Sequence, residues 1–190
     1  SINNFHSDLN IKLPKKLKLK KYSKKWLKEK LHLILIALSL SGFDFIGKEL
    51  QSLRIRIPVL VITKGLKNQK KNNKIYTISE HLKKSFNIQN VSILKGPCLA
   101  KELARKKQTS VIVANKNISI AKKIGNMIST NYYLIEFSKD VIGVEVCSAI
   151  KNIYSMIIGD GQSLNASSNL FQKSVIEMRY LSKYFNCKEE

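Results

Sequence analysis

The chain has 190 residues, 44% of them hydrophobic, and its 34 Lys and Arg residues against 13 Asp and Glu give a formal net charge of +21. This length and apolar content exclude a disordered chain and suffice for one sizeable domain, or one domain and part of a second. Nearly all the basic residues are lysines, which lack the planar fork that reads bases and phosphates. The charge therefore favours a solvated lysine-rich surface, with a polyanion-binding role as the alternative.

The spacing of particular residues argues against three further classes of protein. Cys98, Cys147 and Cys187 form no CxxC pair and indicate reduced thiols in a cytoplasmic protein. The three histidines are too scattered for a metal site, so we expect no metal. The longest apolar run, residues 31–43, is shorter than the roughly 20 residues that a membrane span needs. We therefore expect no membrane span.

The first 30 residues are polar and hold ten lysines, with one candidate helix at residues 23–31. From Leu33 onward, short apolar runs alternate with helical spans. The runs predict strands at residues 33–38, 59–63, 91–94, 110–113 and 132–135, and the spans predict helices at 43–53, 79–85, 99–106 and 119–128. Continuous apolar runs are typical of strands buried on both faces of a parallel sheet. The alternation predicts an α/β sheet with crossover connections.

The alternation stops after Ser138. Two long stretches with helical periodicity follow, at residues 141–157 and 168–185, separated by a turn at 159–163. This change predicts a domain boundary near residue 138.

Thr63-Lys64-Gly65 ends the second predicted strand, where open α/β sheets place ligand-binding groups. The glycine permits close backbone approach, and the lysine offers a compact positive charge. Taken alone, the motif is also typical of a strand end with a solvated lysine.

The segment from Gly96 to Glu102 reads GPCLAKE and follows the third predicted strand. A strand, a Gly-Pro turn and a helix start leave backbone N–H groups free to face an anion or a cofactor. A rigid turn with Pro97 near the helix start is the alternative.

Lys151 and Asn152 lie in the helix predicted for residues 141–157, beside Ala149 and Ile150. Burial of the lysine stem and a neighbouring positive charge both disfavour the ammonium form, so such a lysine can transfer protons near neutral pH. Asn152 is suited to bind substrate or to hold the lysine in place. An ordinary lysine of an amphipathic helix is the alternative.

Together with the run from Asp140 to Glu145 (DVIGVE), these motifs resemble, in order and spacing, the NAD(P)-dependent glycerol-3-phosphate dehydrogenases over about residues 33–185. The resemblance implies an α/β fold, with part of a Rossmann-like parallel sheet followed by the start of an all-helical C-terminal domain. Residues 1–137 would be an incomplete NAD(P)-binding domain. Residues 138–190 would be the N-terminal part of a helical substrate-binding domain.

The resemblance also implies a cytoplasmic enzyme that interconverts sn-glycerol 3-phosphate and dihydroxyacetone phosphate with NAD or NADP and feeds phospholipid synthesis. The implied partner is this small substrate, and no nucleic acid is implied. The resemblance also allows a homodimer. Lys151 would be the catalytic residue. The implied substrate-binding residues are Lys64, Gly96, Cys98, Lys151 and Asn152, and the implied cofactor-binding residues are Lys64 and Ala100.

Three departures from the family pattern stand out. The 190 residues contain no GxGxxG motif, Cys98 stands where relatives carry Ser or Asn, and Gln172 fills an arginine position. We therefore expect the central part of such an enzyme, with an incomplete cofactor site. The alternatives are a degenerate, non-catalytic fragment and a related β-hydroxyacid-type dehydrogenase. A basic nucleic-acid-binding protein ranks last, because aromatic residues do not interleave with the basic runs.

Overall fold

The structure is a computed structural model that describes residues 5–69, 74–159 and 163–187. Its strands are β1 (Phe5–His6), β2 (Ile11–Lys12), β3 (Ile34–Ile36), β4 (Val59–Val61), β5 (Leu66–Gln69), β6 (Lys74–Thr77), β7 (Val91–Lys95), β8 (Thr109–Ala114) and β9 (Tyr133–Ser138). Its α-helices are α1 (Phe43–Ser52), α2 (Ile78–Phe86), α3 (Ala100–Ala104), α4 (Ile118–Ile128), α5 (Val141–Gly159) and α6 (Leu164–Tyr184). From residue 33 onward, each predicted strand and helix corresponds to a strand or helix of the structure, and the hairpin of β5 and β6 was not predicted.

The central sheet has five strands in the order β3-β4-β7-β8-β9. β4 runs parallel to both of its neighbours, with Val59 opposite Ile34 on one side and Val91 on the other. All three residues of β4 are fully buried. This confirms the α/β fold and the burial of the β4 run on both faces. The run at residues 33–38 is buried on one face only, because β3 is an edge strand whose Leu35 is 50% exposed.

One strand direction differs from the predicted parallel sheet. β8 runs antiparallel to β7, with Leu94 opposite Val113, whereas β8 and β9 are parallel. The reason lies in α3, which has five residues and a length of about 7.5 Å, too short to return the chain past the roughly 17 Å of β7. A parallel connection needs a longer crossover. The sheet is therefore mixed.

The structure differs from the sequence predictions in three places: one hairpin was not predicted, one predicted helix is a short turn, and one helix begins earlier. The antiparallel hairpin of β5 and β6 pairs Leu66 with Thr77 and was missed, because its polar residues lack an apolar pattern. The helix predicted at 23–31 is a 3-10 turn, Lys24–Lys28, where like charges at helical spacing repel. α6 begins four residues early, after Ser163, whose hydroxyl accepts a hydrogen bond from Ala166 N at 3.3 Å. Residues 160–162 of the predicted turn lie outside the described residues.

The core has one part on each face of the sheet. Val59 and Val61 face α1 and α2, where they pack in a cluster with Phe43 and Leu82. Leu60 faces the other way, into a cluster with α4. Because β4 alternates between the two parts, its carboxyl end is held rigidly at the edge of the sheet.

α5 packs against β7 and α2. Its start is capped by Asp140, whose Oδ1 accepts a hydrogen bond from Gly143 N at 3.0 Å. By length and composition, its 19 residues with a mean hydropathy of 1.5 would suffice to cross a membrane. The buried helix of a globular protein passes the same test, and Glu145 in α5 is buried against α2. The packing buries residues in the first half of α5 only, and Ile153 and Met156 in its second half are exposed.

Candidate active site

The Thr63-Lys64-Gly65 turn follows β4 at the carboxyl edge of the sheet. The Thr63 hydroxyl donates a hydrogen bond to the Leu38 carbonyl oxygen at 2.5 Å, which ties the turn to the segment after β3. Gly65 has a φ of +128°, and an added Cβ would lie 2.7 Å from Leu40 Cδ1. The turn thus requires glycine, and it presents the exposed Lys64 at the sheet edge.

The Gly96-Pro97 turn follows β7 at the same edge and lies against β8. An added Cβ at Gly96 would lie 2.8 Å from Val111 Cγ1, 2.9 Å from Val111 Cα and 3.0 Å from the Ser110 carbonyl oxygen. The Thr109 hydroxyl donates to the Pro97 carbonyl oxygen at 2.7 Å. Because two of the three closest atoms to Gly96 are backbone atoms, no larger residue fits there without moving β8.

Cys98 and Ala100 are both exposed. Cys98 lines the same cavity as Lys64, and Ala100 at the start of α3 is not among the residues that line it. The structure therefore brings Cys98 to Lys64 and leaves Ala100 on the surface.

Lys151 and Asn152 occupy neighbouring positions of α5 and differ in burial. Lys151 is half-buried, and Asn152 is exposed. Burial, and after it the positive charge of Lys64, lower the pKa of Lys151. The fold thus lets the charge of Lys64 act on Lys151 although the two residues are far apart in sequence.

Two cavities adjoin at this edge of the sheet. The first has a volume of about 520 Å³, and its walls include Lys95, Gly96, Ser148 and Lys151. The second has a volume of about 530 Å³, and its walls include Lys64, Lys95, Gly96 and Cys98. Lys95 and Gly96 line both cavities. Asn152 lines neither cavity.

The sequence analysis missed Lys95, the last residue of β7. Its side chain is 4% exposed, and its ammonium group donates a hydrogen bond to the Thr63 carbonyl oxygen. Burial lowers the pKa of Lys95 to about 8; the negative charge of Glu145 opposes this shift, and the positive charge of Lys64 adds to it. Its place directly before Gly96, at the carboxyl end of a strand, was the signal that could have revealed it.

Glu145 was quoted only as part of a motif, and the structure shows it as a buried charge. Its carboxylate accepts hydrogen bonds from the backbone N–H of Ser79, at 3.1 Å, and from the Ser79 hydroxyl. Burial raises the pKa of Glu145, whereas these hydrogen bonds and the charge of Lys95 lower it. A glutamate inside an apolar helical stretch is rarely buried without a partner, and that rule was the available signal.

The edge thus combines three lysines, one of them half-buried and one almost fully buried. Cationic side chains of this kind can hold anionic oxygens, and an amine with a lowered pKa can exchange a proton with a bound hydroxyl or carbonyl. In residues 5–69, 74–159 and 163–187, no group of three or more His, Cys, Asp or Glu side chains is placed to hold a metal ion.

Comparison with known proteins gives two family matches and several relatives. A model of the N-terminus of NAD-dependent glycerol-3-phosphate dehydrogenase matches residues 3–121, and a model of its C-terminus matches residues 140–190. The chain is 32% identical over 159 residues to glycerol-3-phosphate dehydrogenase (NAD(P)+) of Rickettsia akari. This alignment covers 80% of this chain and 49% of the relative. It is 31% identical over 114 residues to the enzyme of the same name from Leptospira biflexa, covering 60% of this chain and 34% of the relative.

Solved structures of such enzymes share the fold. Glycerol-3-phosphate dehydrogenase from Coxiella burnetii matches with a TM-score of 0.84 and 25% identity, over 98% of this chain and 57% of that one. The Saccharomyces cerevisiae enzyme matches with a TM-score of 0.77 and 20% identity, over 95% of this chain and 54% of that one, and supports the fold alone. The chain thus spans between a third and somewhat more than half of the relatives described here. Because the N-terminal model alone covers more than half of the chain, the protein belongs to the NAD-dependent glycerol-3-phosphate dehydrogenase family.

Proposed function

We propose that this chain carries the proton-transfer site of an NAD(P)-dependent glycerol-3-phosphate dehydrogenase. The reaction would interconvert sn-glycerol 3-phosphate and dihydroxyacetone phosphate in the cytoplasm and supply phospholipid synthesis. The observation that supports the proposal is that Lys64 and Lys151 line two cavities that share Lys95 and Gly96, and the charge of Lys64 lowers the pKa of Lys151. Residues 1–137 would belong to the cofactor-binding unit, and residues 138–190 would begin the substrate-binding unit.

Lys151 is the proton carrier in this proposal. Its lowered pKa increases the fraction of neutral amine near neutral pH, and that amine can accept the proton of the C2 hydroxyl during oxidation. The resulting ammonium group returns the proton to the C2 oxygen during reduction. Lys64 has two effects, since its charge attracts the anionic substrate and lowers the proton affinity of Lys151.

Gly96, Cys98 and Asn152 would complete the contacts with the substrate. The turn at Gly96 borders both cavities, and Cys98 lines the one that contains Lys64. Asn152 adjoins Lys151 on the exposed side of α5, where it would bind the part of the substrate that extends out of the cavity.

The cofactor end of the site is the cavity that contains Lys64. Leu35, Ile62 and Leu94 give it apolar walls, which fit a flat aromatic ring such as nicotinamide. Lys64 would face this ring from within the cavity, and Ala100 would face the cofactor from the start of α3. The nicotinamide, when bound, supplies the hydride chemistry.

A chimeric enzyme tests this function. The matched part of the Coxiella burnetii enzyme is replaced by this chain, which covers 57% of it, because the 190 residues contain no GxGxxG motif and we expect little activity from them alone. The chimera should reduce dihydroxyacetone phosphate with NADH or NADPH. Lys151→Met should lower kcat about 10²- to 10⁴-fold, the usual contribution of a positioned acid or base.

Lys173→Met is the matched control, since Lys173 is an exposed lysine of α6. This variant should keep the kcat of the chimera. An active chimera whose kcat is unchanged by Lys151→Met would remove Lys151 from the mechanism. A folded chimera without activity would instead favour a non-catalytic member of the family.

A further inference from the structure

The lysines of this chain are concentrated near its beginning. Residues 12–30, which we call the basic segment, hold ten of the thirty lysines, whereas an even distribution over the 190 residues would place about three there. Glu29 is the one acidic residue among them, so the segment has a net charge of +9. All ten lysines are exposed. A strong positive charge therefore covers one stretch of the surface.

The basic segment is attached to α1. Leu27 packs against the part of the core that contains Phe43. Lys24 forms an ion pair with Glu49 of α1 at 3.4 Å, and the Tyr22 hydroxyl donates a hydrogen bond to the same carboxylate at 3.2 Å. Because these contacts join the segment to α1, its lysines are presented on the side of the sheet that carries this helix.

Apolar side chains are exposed between the lysines. Leu17 is 46% exposed and Leu19 is 51% exposed, and each lies between two lysines in the sequence. The half-exposed ring of Tyr22 meets the exposed ring of Phe45 edge to face, with centroids 5.4 Å apart. Lysines that alternate with exposed apolar side chains suit a lipid surface, where ammonium groups meet anionic headgroups and apolar groups enter the interface.

The aromatic contacts of the segment favour lipid over nucleic acid. Trp26 lies among the lysines, but the ammonium groups of Lys20 and Lys25 lie over its ring, at 3.4 and 4.9 Å from the centroid. Its indole N–H donates to the Lys21 carbonyl oxygen at 3.1 Å. A nucleic-acid base would have to displace these ammonium groups to stack on the ring. The segment also has no arginine to bind a phosphate or a base with two parallel hydrogen bonds.

We propose that the basic segment binds the surface of an anionic lipid bilayer, with its lysines at the headgroups and with Leu17 and Leu19 in the interface. Each lysine near such a surface strengthens binding about fivefold. Two leucines add a smaller apolar contribution, so the attachment is reversible and does not span the membrane. This surface goes beyond the proposed reaction, whose lysines lie at the carboxyl edge of the sheet.

Cosedimentation of the 190-residue chain with vesicles tests the surface at physiological ionic strength. One kind of vesicle is phosphatidylcholine alone, and in the other phosphatidylserine makes up about a third of the lipid. The chain should bind the anionic vesicles at least about tenfold more tightly, because only these attract the lysines. Salt at about 1 M, which shortens the Debye length to about 3 Å, should remove most of this preference.

Two variants with the same loss of charge locate the binding. Each replaces three exposed lysines by glutamine, either Lys15, Lys16 and Lys18 of the basic segment or Lys116, Lys122 and Lys123 beside and within α4. α4 packs on the opposite face of the sheet from α1. The first variant should bind anionic vesicles about a hundredfold more weakly. The second should differ from the wild type by less than about threefold.

The double variant Leu17→Gln, Leu19→Gln separates a lipid from a nucleic acid. The loss of two apolar side chains should weaken binding to anionic vesicles about tenfold. Binding to single-stranded polyuridylate, the second probe, depends on charge and should be weaker than vesicle binding and unchanged in this variant. The unfolding midpoints of all three variants should match that of the wild type, because the replaced side chains are exposed.

Four results would overturn the lipid surface. The first is that the wild-type chain does not bind anionic vesicles, and the second is that it binds both kinds of vesicle equally. The third is an equal loss of binding in the two lysine variants, which would mean that only net charge matters. The fourth is tighter binding to polyuridylate than to vesicles with no effect of the leucine changes, which would assign the basic segment to a nucleic acid.

Discussion

The ammonium group of Lys95 donates a hydrogen bond to the carbonyl oxygen of Thr63, the residue before Lys64. This contact joins the carboxyl ends of β7 and β4 and holds the turn that carries Lys64. Lys95 is also attracted by Glu145 on α5, the helix that carries Lys151. A lysine that was absent from the predicted site thus connects the two lysines that were part of it.

Replacing Lys95 should change the dependence of stability on pH. The folded-state pKa of Lys95 is about 8, below the ordinary value of 10.5, so the unfolded chain binds more protons between these values. The cost of the buried charge is fully present below about pH 8 and is relieved as the pH rises toward 10.5. The wild-type free energy of unfolding should therefore gain up to about 3 kcal/mol over this window, relative to Lys95→Met, in urea denaturation. Lys173→Met should keep the wild-type pH dependence, and parallel curves for wild type and Lys95→Met would contradict the prediction.

Replacing Lys64 should raise the pKa of Lys151. Repulsion by Lys64 is the second cause of the lowered pKa, after burial, so Lys64→Met should restore only part of the ordinary value. The measurement is a pH titration of the lysine side-chain signals by NMR, with the Lys151 signal assigned through Lys151→Arg. An unchanged pKa of Lys151 in Lys64→Met would show that the two groups do not share a site.

Replacing Glu145 should lower the pKa of Lys95 further. Glu145→Gln removes the negative charge that favours the Lys95 ammonium group and keeps an oxygen that can accept from Ser79 N. The folded-state pKa of Lys95 should therefore fall below about 8 in this variant, measured by pH titration of the lysine side-chain signals by NMR. Glu177→Gln, an exposed change on α6, is the control. An equal pKa of Lys95 in the two variants would exclude an electrostatic effect of Glu145 on Lys95.

Gly96 and Gly159 should respond to alanine in opposite ways. Gly96→Ala places a methyl group against Val111 Cα and the Ser110 carbonyl oxygen, and it should lower the free energy of unfolding by roughly 1–3 kcal/mol. Gly159 ends α5 with nothing within 4 Å of an added Cβ, so Gly159→Ala should be neutral or stabilise the chain by up to about 1 kcal/mol. Urea denaturation of both variants measures the difference. Equal stabilities would mean that Gly96 does not need the close approach to β8.

The positions of most elements, and two of the three lysines at the site, could be predicted from the sequence. The apolar run at residues 59–63 and the helical period at 141–157 are local signals, because a buried strand and an amphipathic helix each impose their own spacing on apolar residues. Thr63-Lys64-Gly65 and Lys151-Asn152 stood out as short motifs at the ends or faces of those elements. Local pattern and residue type were therefore enough to indicate the fold class, the family and the neighbourhood of the proposed catalytic lysine.

The tertiary structure alone decided the direction of β8, the burial of Lys95 and Glu145, and the unpaired hydroxyl of Ser148. Each depends on which segments meet in space: a connection too short to cross the sheet turns β8 antiparallel, and a charge is buried only where a strand end, a turn and a helix close around it. Apolar periodicity carries no record of such meetings. The cost of burying a charge or a hydroxyl group, and the partner that offsets it, arise only when distant parts of the chain pack together.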